Sequence, residues 1–213
     1  MGPNSLFIEQ SLDESVPQHG FIDSRIISIG EFMGNNAQLA AVASGTVGFA
    51  NLEHGTIDIP GIQWDDTAAA ADVVRFAFVV PSNYAKNEDK LELAVMARKI
   101  EGGSANADLA LNCTALYLNP DSTGGETQAG ESLVLATASG NDYNYERLIY
   151  DISGLGLKPG SVLMLSLAPN EAPGTSNFIE MIGAELRYRR HASYASGLSR
   201  TFGDSRKETP ATT

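Results

Sequence analysis

Residues 72–80 read Asp-Val-Val-Arg-Phe-Ala-Phe-Val-Val, and this stretch decides the fold class. Val74, Phe76, Phe78 and Val80 share one face of an extended chain, because successive side chains of a strand point to opposite sides. β-branched and aromatic side chains of this kind are typical of a central strand. The stretch therefore predicts a β-strand with one face in a hydrophobic core.

Similar alternations with a period of two follow toward the C-terminus, and each is closed by Gly, Pro, Asn or Asp. An edge strand with a bulge is predicted before residue 72, where Ile57, Ile59 and Ile62 lead to Trp64. Regularly spaced short strands are the pattern of a β-sandwich. We therefore predict an all-β protein, an antiparallel jelly-roll β-sandwich of about eight strands over residues 54–190. The predicted inward faces after residue 90 are Leu91, Leu93, Val95 and Ala97; Leu109, Leu111, Cys113, Ala115 and Tyr117; Leu133 and Leu135; Leu148, Tyr150 and Ile152; residues 162–167; and Phe178, Ile182, Ala184, Leu186 and Tyr188.

The two ends of the chain lack sustained periodicity. Residues 1–53 carry scattered Gly and Asn and are predicted to form an irregular arm. Within this arm, residues 25–29 could pair as a strand and residues 36–44 could form two helical turns. Residues 191–213 are poor in large apolar side chains and are predicted to be a short tail.

The charge of the chain limits its partners. It holds 14 Lys and Arg against 26 Asp and Glu, a net charge of −12, which disfavours nucleic acid and anionic membranes as partners. Glu9, Asp13 and Glu14 stand where a secretory signal would have a basic start and an apolar run. We expect a protein made in the cytoplasm, with no membrane partner. Cys113 lies in an alternating apolar run and is predicted to be a buried, inert thiol.

No arrangement of residues indicates nucleophilic catalysis. The histidines, His19, His54 and His191, lie outside the predicted strands, and no Gly-x-Ser-x-Gly motif occurs. Glu92, Glu146 and Glu180 fall within predicted strands and could supply the paired carboxylates of a glycosidase. A strand glutamate flanked by apolar residues more often faces solvent. No cofactor is expected.

Three further features could bind a ligand or a partner. Alternate oxygen donors at Asn141, Asp142, Asn144 and Glu146 could hold a cation, although an ordinary hairpin turn also explains them. Tyrosines in or beside loops could stack on sugar rings, or merely cover the edge of the core. A basic C-terminal segment could dock on an acidic neighbour or be solvated. The tyrosines are Tyr84, Tyr143 and Tyr145, and the basic residues are Arg187, Arg189, Arg190, Arg200, Arg206 and Lys207.

Four segments carry a family resemblance: Phe78-Val79-Val80-Pro81, Asp151-Ile152-Ser153-Gly154, Leu157-Lys158-Pro159-Gly160-Ser161-Val162-Leu163 and Ile182-Gly183-Ala184-Glu185-Leu186. Over residues 56–190 the chain resembles the jelly-roll domains of tailed-bacteriophage virion proteins, chiefly head decoration (cement) proteins and fibre or knob modules. The resemblance implies a non-enzymatic homotrimer on the surface of the virion head, which binds the major capsid protein through its arms and stabilises contacts between capsid subunits.

Two alternatives stay open. The first is a receptor-binding fibre tip or carbohydrate-binding module, in which the three tyrosines stack on glycan. The second is a sandwich-fold glycosidase, which requires two carboxylates that face each other.

Overall fold

A computed structural model describes residues 21–34, 38–54, 56–68, 70–82, 84, 91–101, 108–121, 125–135, 137–138, 145–152, 155–174 and 176–190. The strands are β1 (Phe21–Ile27), β2 (Val47–His54), β3 (Ile57–Trp64), β4 (Val74–Val79), β5 (Leu91–Glu101), β6 (Ala110–Leu118), β7 (Glu126–Val134), β8 (Thr137–Ala138), β9 (Glu146–Asp151), β10 (Val162–Pro169) and β11 (Asn177–Arg190). A single 3-10 turn, Ile29–Glu31, completes the regular structure of these residues.

The strands form two sheets that pack face to face. The larger sheet has seven strands in the order β2-β3-β11-β5-β8, with β1 paired to β11 and β9 paired to β5. The smaller sheet has the order β4-β10-β6-β7. Every pairing is antiparallel except the short one between β5 and β8.

Eight of these strands follow the jelly-roll path. The larger sheet contains β3, β11, β5 and β9, the smaller contains β4, β10, β6 and β7, and most consecutive strands cross from one sheet to the other. The predicted fold class, an antiparallel β-sandwich, is confirmed.

The core lies between the sheets, and the predicted alternation holds except in the first half of β11. There Ile179 and Met181 are buried, whereas the predicted inward residues Phe178 and Ile182 are half-buried, because the register shifts between Met181 and Gly183. On β4, Val74, Phe76 and Phe78 are buried while the residues between them are half-buried or exposed. Tyr150 is also buried, and its hydroxyl donates a hydrogen bond to the carbonyl of Leu111 over 2.8 Å. The predicted inert thiol is confirmed as buried, since Cys113 is 0% exposed, and burial raises its pKa to about 12.

The boundary of the predicted arm at residue 53 is wrong for its second half. β1 pairs with the last seven residues of β11, and β2 pairs along all eight residues of β3. Between them, Phe32 and Leu39 are buried in the same core as Ile27. Residues 21–34 and 38–53 therefore belong to the sandwich.

The helical turns predicted for residues 36–44 are also wrong where the structure describes them. Gln38 forms an isolated β-bridge with Met33, and Ala41 forms one with Phe49. Gly48, one of the scattered glycines that predicted an irregular arm, is instead a packing requirement. A Cβ at Gly48 would lie 2.5 Å from the backbone nitrogen of Val42. Tertiary contact, which no local pattern shows, decides the conformation here.

Candidate functional site

The outer face of the larger sheet is the charged face of the sandwich. Because the odd residues of β5 point into the core, Glu92, Ala94, Met96 and Arg98 point outward. Residues opposite them in the register share that face. They are Glu180, Gly183, Glu185 and Arg187 on β11 and Arg147, Ile149 and Asp151 on β9.

A buried ion pair lies on this outward face. Arg98 of β5 stands opposite Glu180 of β11, and their side chains are each 4% exposed. The Arg98 Nε and Nη2 atoms lie 2.7 Å and 2.6 Å from Glu180 Oε2. Nη2 also donates to the carbonyl oxygen of Glu53, at the end of β2, over 2.9 Å. The pair thus ties together β5, β11 and β2.

Tyr145 and Gln63 surround the same carboxylate. The Tyr145 ring packs against the Arg98 guanidinium, 4.7 Å from the ring centroid to Cζ, and its hydroxyl lies 3.3 Å from Glu180 Oε2. Burial and the neighbouring Glu180 charge raise the pKa of Tyr145 to about 12. Gln63 Nε2 lies 3.4 Å from Oε1. The cation, the carboxylate and the aromatic ring hold one another in place.

An open groove lies beside this cluster. It has a volume of about 480 Å³ and crosses β9, β5, β11 and β1. Gly183 forms part of its floor, and a Cβ built there would meet no atom within 4 Å. Ile26 of β1 is 80% exposed at the groove. The remaining lining residues are Ala94, Met96, Arg147, Ala184 and Glu185.

The charged side chains of the groove are paired with one another. Arg147 Nη2 lies 2.7 Å from Glu185 Oε2, and Arg187 Nε lies 3.4 Å from the same oxygen. Arg187 also approaches Glu92 to 3.9 Å. The described part of the groove is therefore polar at its rim and close to neutral.

A second depression begins two residues beyond Ile26. It has a volume of about 810 Å³ and includes Ser28, Asn51, Pro60 and Gln63. Gln63 connects this depression to the buried cluster through its contact with Glu180. Surface recesses therefore lie on both sides of the Arg98–Glu180 pair.

The structure describes two of the three predicted stacking tyrosines and places one of these two on this face. Tyr84 is 2% exposed and packs in the core, so the prediction that it stacks on glycan is wrong. Tyr145 is half-buried in the cluster next to the groove. Tyr143 lies outside the described residues.

The predicted basic docking segment is divided by the structure. Arg187 belongs to the ion-pair network of the outer face. Arg189 and Arg190 are the last residues of β11 and pair with Ile22 and Phe21 of β1. Arg200, Arg206 and Lys207 lie outside the described residues, as do His19 and His191.

The candidate carboxylates do not form a catalytic pair. Glu92 precedes Arg98, the register partner of Glu180, by six residues on β5, a separation of about 20 Å along a strand, whereas glycosidases need about 5–9.5 Å. Glu146 stands opposite the buried Ala97 and so shares the core-side face, away from Glu180. The geometry removes the basis for the glycosidase alternative.

The described residues contain neither a metal-ligand cluster nor a membrane-spanning helix. No group of three or more His, Cys, Asp or Glu among them could hold a metal ion, and Asn141, Asp142 and Asn144 lie outside that part of the chain. Within the same residues, no helix has the length and hydropathy to span a bilayer.

The groove residues could have been found in part from the sequence. The alternation of β5 assigns Ala94, Met96 and Arg98 to a shared outward face. Nothing in the sequence marks Gly183 as a groove floor, because that depends on the strands beside it. The exposure of Ile26 likewise follows only from the pairing of β1 with β11.

No family model matches the chain, and no curated protein matches it. Its fold resembles those of carbohydrate-binding modules among solved structures. A xylan-binding module, CBM15, superposes with a TM-score of 0.50 at 10% identity, over 80% of this chain and 99% of that one. The CBM22-1 xylan-binding domain of Paenibacillus barcinonensis Xyn10C gives 0.48 at 14% identity, over 82% and 99%.

A third structure contains more than this fold. The CBM22-1-GH10 modules of Clostridium thermocellum xylanase 10B, complexed with xylohexaose, superpose with a TM-score of 0.47 at 10% identity over 80% of this chain. The matched region spans 28% of that protein. At such identities, the likeness establishes the β-sandwich fold and nothing finer.

Proposed function

We propose that this protein is a non-catalytic carbohydrate-binding module whose ligand lies in the groove on the outer face of the larger sheet. The observation that carries this proposal is the groove itself. It is open above Gly183, has an apolar floor, and has polar groups at its rim. Binding sites of this kind combine apolar contact area with a few placed polar groups.

The groove has the chemistry that a sugar chain requires. A sugar ring has apolar C–H faces and a rim of hydroxyls. Ala94, Met96 and Ile26 offer apolar contact, while Arg147 and Glu185 can exchange hydrogen bonds with hydroxyls. Arg98 is the next outward-facing residue of β5 after Met96. The Tyr145 ring packs against Arg98 and adds an aromatic edge beside the groove.

The ligand class follows from the balance of charge. Every described cation of the groove is already paired with a carboxylate, so an anionic sugar would have to displace a carboxylate or remain unpaired. A neutral glycan meets no such cost. CBM15, which has a similar fold, is a xylan-binding module, and this makes xylan the first polysaccharide to test.

A valine at Gly183 tests the site. Gly183 points outward opposite Met96, and its Cβ position is empty, so Gly183→Val adds a side chain to the groove floor without a clash. Valine is a better strand former than glycine, so the free energy of unfolding should change by no more than about 1 kcal/mol. We expect the affinity for xylohexaose or another neutral hexasaccharide, measured by calorimetry, to fall at least about tenfold.

Ser132→Val is the matched control. Ser132 is an exposed residue of β7 in the smaller sheet, so valine there should leave glycan affinity unchanged. Wild-type protein that binds no member of a broad panel of neutral and anionic glycans would refute the proposed function. Binding that survives Gly183→Val would show that the site lies elsewhere.

The capsid-decoration hypothesis stays a prediction. Residues 21–27 do not belong to its arm, because they form a strand of the larger sheet. No observation on the described residues favours a capsid partner over a glycan.

A further inference from the structure

The outer face of the smaller sheet differs sharply from that of the larger sheet. Val162 of β10 stands opposite Val79 of β4 on one side and Leu118 of β6 on the other. These three side chains are 43%, 63% and 42% exposed. The next outward row, Ala77, Met164 and Leu116, is also apolar. The rows beyond it are Arg75, Ser166 and Thr114, then Ala168 and Asn112.

This apolar face, defined as the outward side chains of β4, β10 and β6, is almost free of charge. Arg75 is its one charged side chain among the described residues, and none there is acidic. The whole chain holds 26 Asp and Glu. The described outward side chains of these three strands include no aromatic ring, so they offer no surface on which a sugar ring could stack. Depletion of charge and a larger apolar fraction than the rest of the surface are typical of homodimer interfaces.

The area of the face is large enough for a stable contact only if the partner covers all of it. With β7 beside it, whose Val134 is 57% exposed, the face is four strands wide. Four strands about 4.8 Å apart and about eight residues long span about 19 Å by 26 Å, or roughly 500 Å². Two such faces bury roughly 1,000 Å², the lower limit for a specific interface. A loop or a single helix would cover only part of this area, whereas a second flat sheet would cover it fully.

We infer that two copies of this chain associate through the apolar faces of their smaller sheets, with the sheets stacked about a two-fold axis. Sheets stack about 10 Å apart, so the two charged outer faces would be separated by three sheet spacings, about 30 Å. This distance exceeds the Debye length of about 8 Å at physiological salt. The charged side chains of the larger sheets therefore oppose the contact only weakly.

Two-fold stacking predicts a dimer rather than the trimer implied by the resemblance to virion proteins. When a face contacts the same face of a second copy about a two-fold axis, that one copy covers it and no third copy can bind there. The larger sheets, with their grooves, would point away from each other. Each dimer would then present two glycan sites, which makes the association relevant to avidity.

The test is the mass in solution of the full chain and of two matched variants. Sedimentation equilibrium of the wild type should give twice the chain mass of 22.6 kDa. Val162→Arg places a charge at the centre of the apolar face and should raise the dimer dissociation constant at least about tenfold. Ile149→Arg changes a residue of similar exposure, 42% against 43%, on the other outer face and should leave the dimer intact.

Three outcomes would overturn the inference: a wild-type monomer at the highest soluble concentration, a trimer, or a Val162→Arg protein that dimerises as the wild type does. If Val162→Arg does not fold by circular dichroism, Val79→Glu replaces it, since Val79 is 63% exposed. Binding of xylohexaose is measured separately, so the failure of either proposal is distinguishable from that of the other.

Discussion

Arg98 and Glu180 form an ion pair that is buried outside the main core. Removing one member would leave the other charge desolvated, which costs about 3–5 kcal/mol, whereas replacing both by apolar residues is often near neutral. We expect Arg98→Met to lower the free energy of unfolding in urea by about 3–5 kcal/mol. The double variant Arg98→Met with Glu180→Leu should recover most of that loss.

Arg147→Met is the matched control at the residue scale. Its partner Glu185 lies at a similar distance, 2.7 Å, but the two side chains are 40% and 29% exposed. Exposed pairs contribute only about 0–1 kcal/mol, so this variant should change stability little. Equal losses for Arg98→Met and Arg147→Met would show that burial does not set the cost.

The sequence alone could place Glu180 on a strand but not in this environment. A glutamate between apolar strand neighbours is expected to face solvent, yet Glu180 is 3% exposed. Glu53 of β2 and Tyr145 before β9 shield the Arg98–Glu180 pair from solvent. Both residues are far from Glu180 in sequence. Solvent exposure of a single residue depends on such distant contacts, and the local pattern does not contain them.

At the scale of elements, the N-terminal strands are part of the folding unit. Ile27, Phe32 and Leu39 are buried in the shared core, and burying each such side chain contributes about 1.5–3 kcal/mol. The sum is comparable to the total stability of a domain, about 5–15 kcal/mol. We expect a chain that begins at residue 46 to lose cooperative unfolding, measured by circular dichroism during heating.

A chain that begins at residue 21 is the reference for this truncation. It keeps β1 and its pairing with β11, so it should unfold in a single transition. A chain from residue 46 that unfolds with the same midpoint as this reference would contradict the assignment of β1 to the sandwich.

The strands were predictable where the alternation is regular and not where it breaks. β4 alternates buried and outward residues along its length, and its pattern alone identifies it. In β2, Val47 and Phe49 face the core side opposite Trp64 and Ile62, while Leu52 packs on the other face against Gly61. Because the apolar side chains of β2 lie on both of its faces, the sequence shows no period of two there. Only the three-dimensional structure reveals this strand.

At the scale of the whole molecule, the sequence identifies strands but not their order. The jelly-roll path places β11, the last strand, between β3 and β5, and the groove exists because these distant strands are neighbours. Two outer faces of opposite character result. The larger sheet presents paired charges around a groove, and the smaller sheet presents an aliphatic surface.

The net charge sets the final prediction, which rests on the proposed function. A field from −12 charges repels anionic glycans, and the groove cations are paired with carboxylates, so no local attraction offsets this repulsion. A neutral hexasaccharide should therefore bind equally well from about 0.05 M to about 0.5 M NaCl, because contacts with uncharged groups are not screened. A uronic-acid hexasaccharide should bind more weakly in calorimetry and gain affinity as salt rises. Tighter binding of the uronic acid at low salt would mean that the site uses unpaired cations, and the neutral assignment would then be wrong.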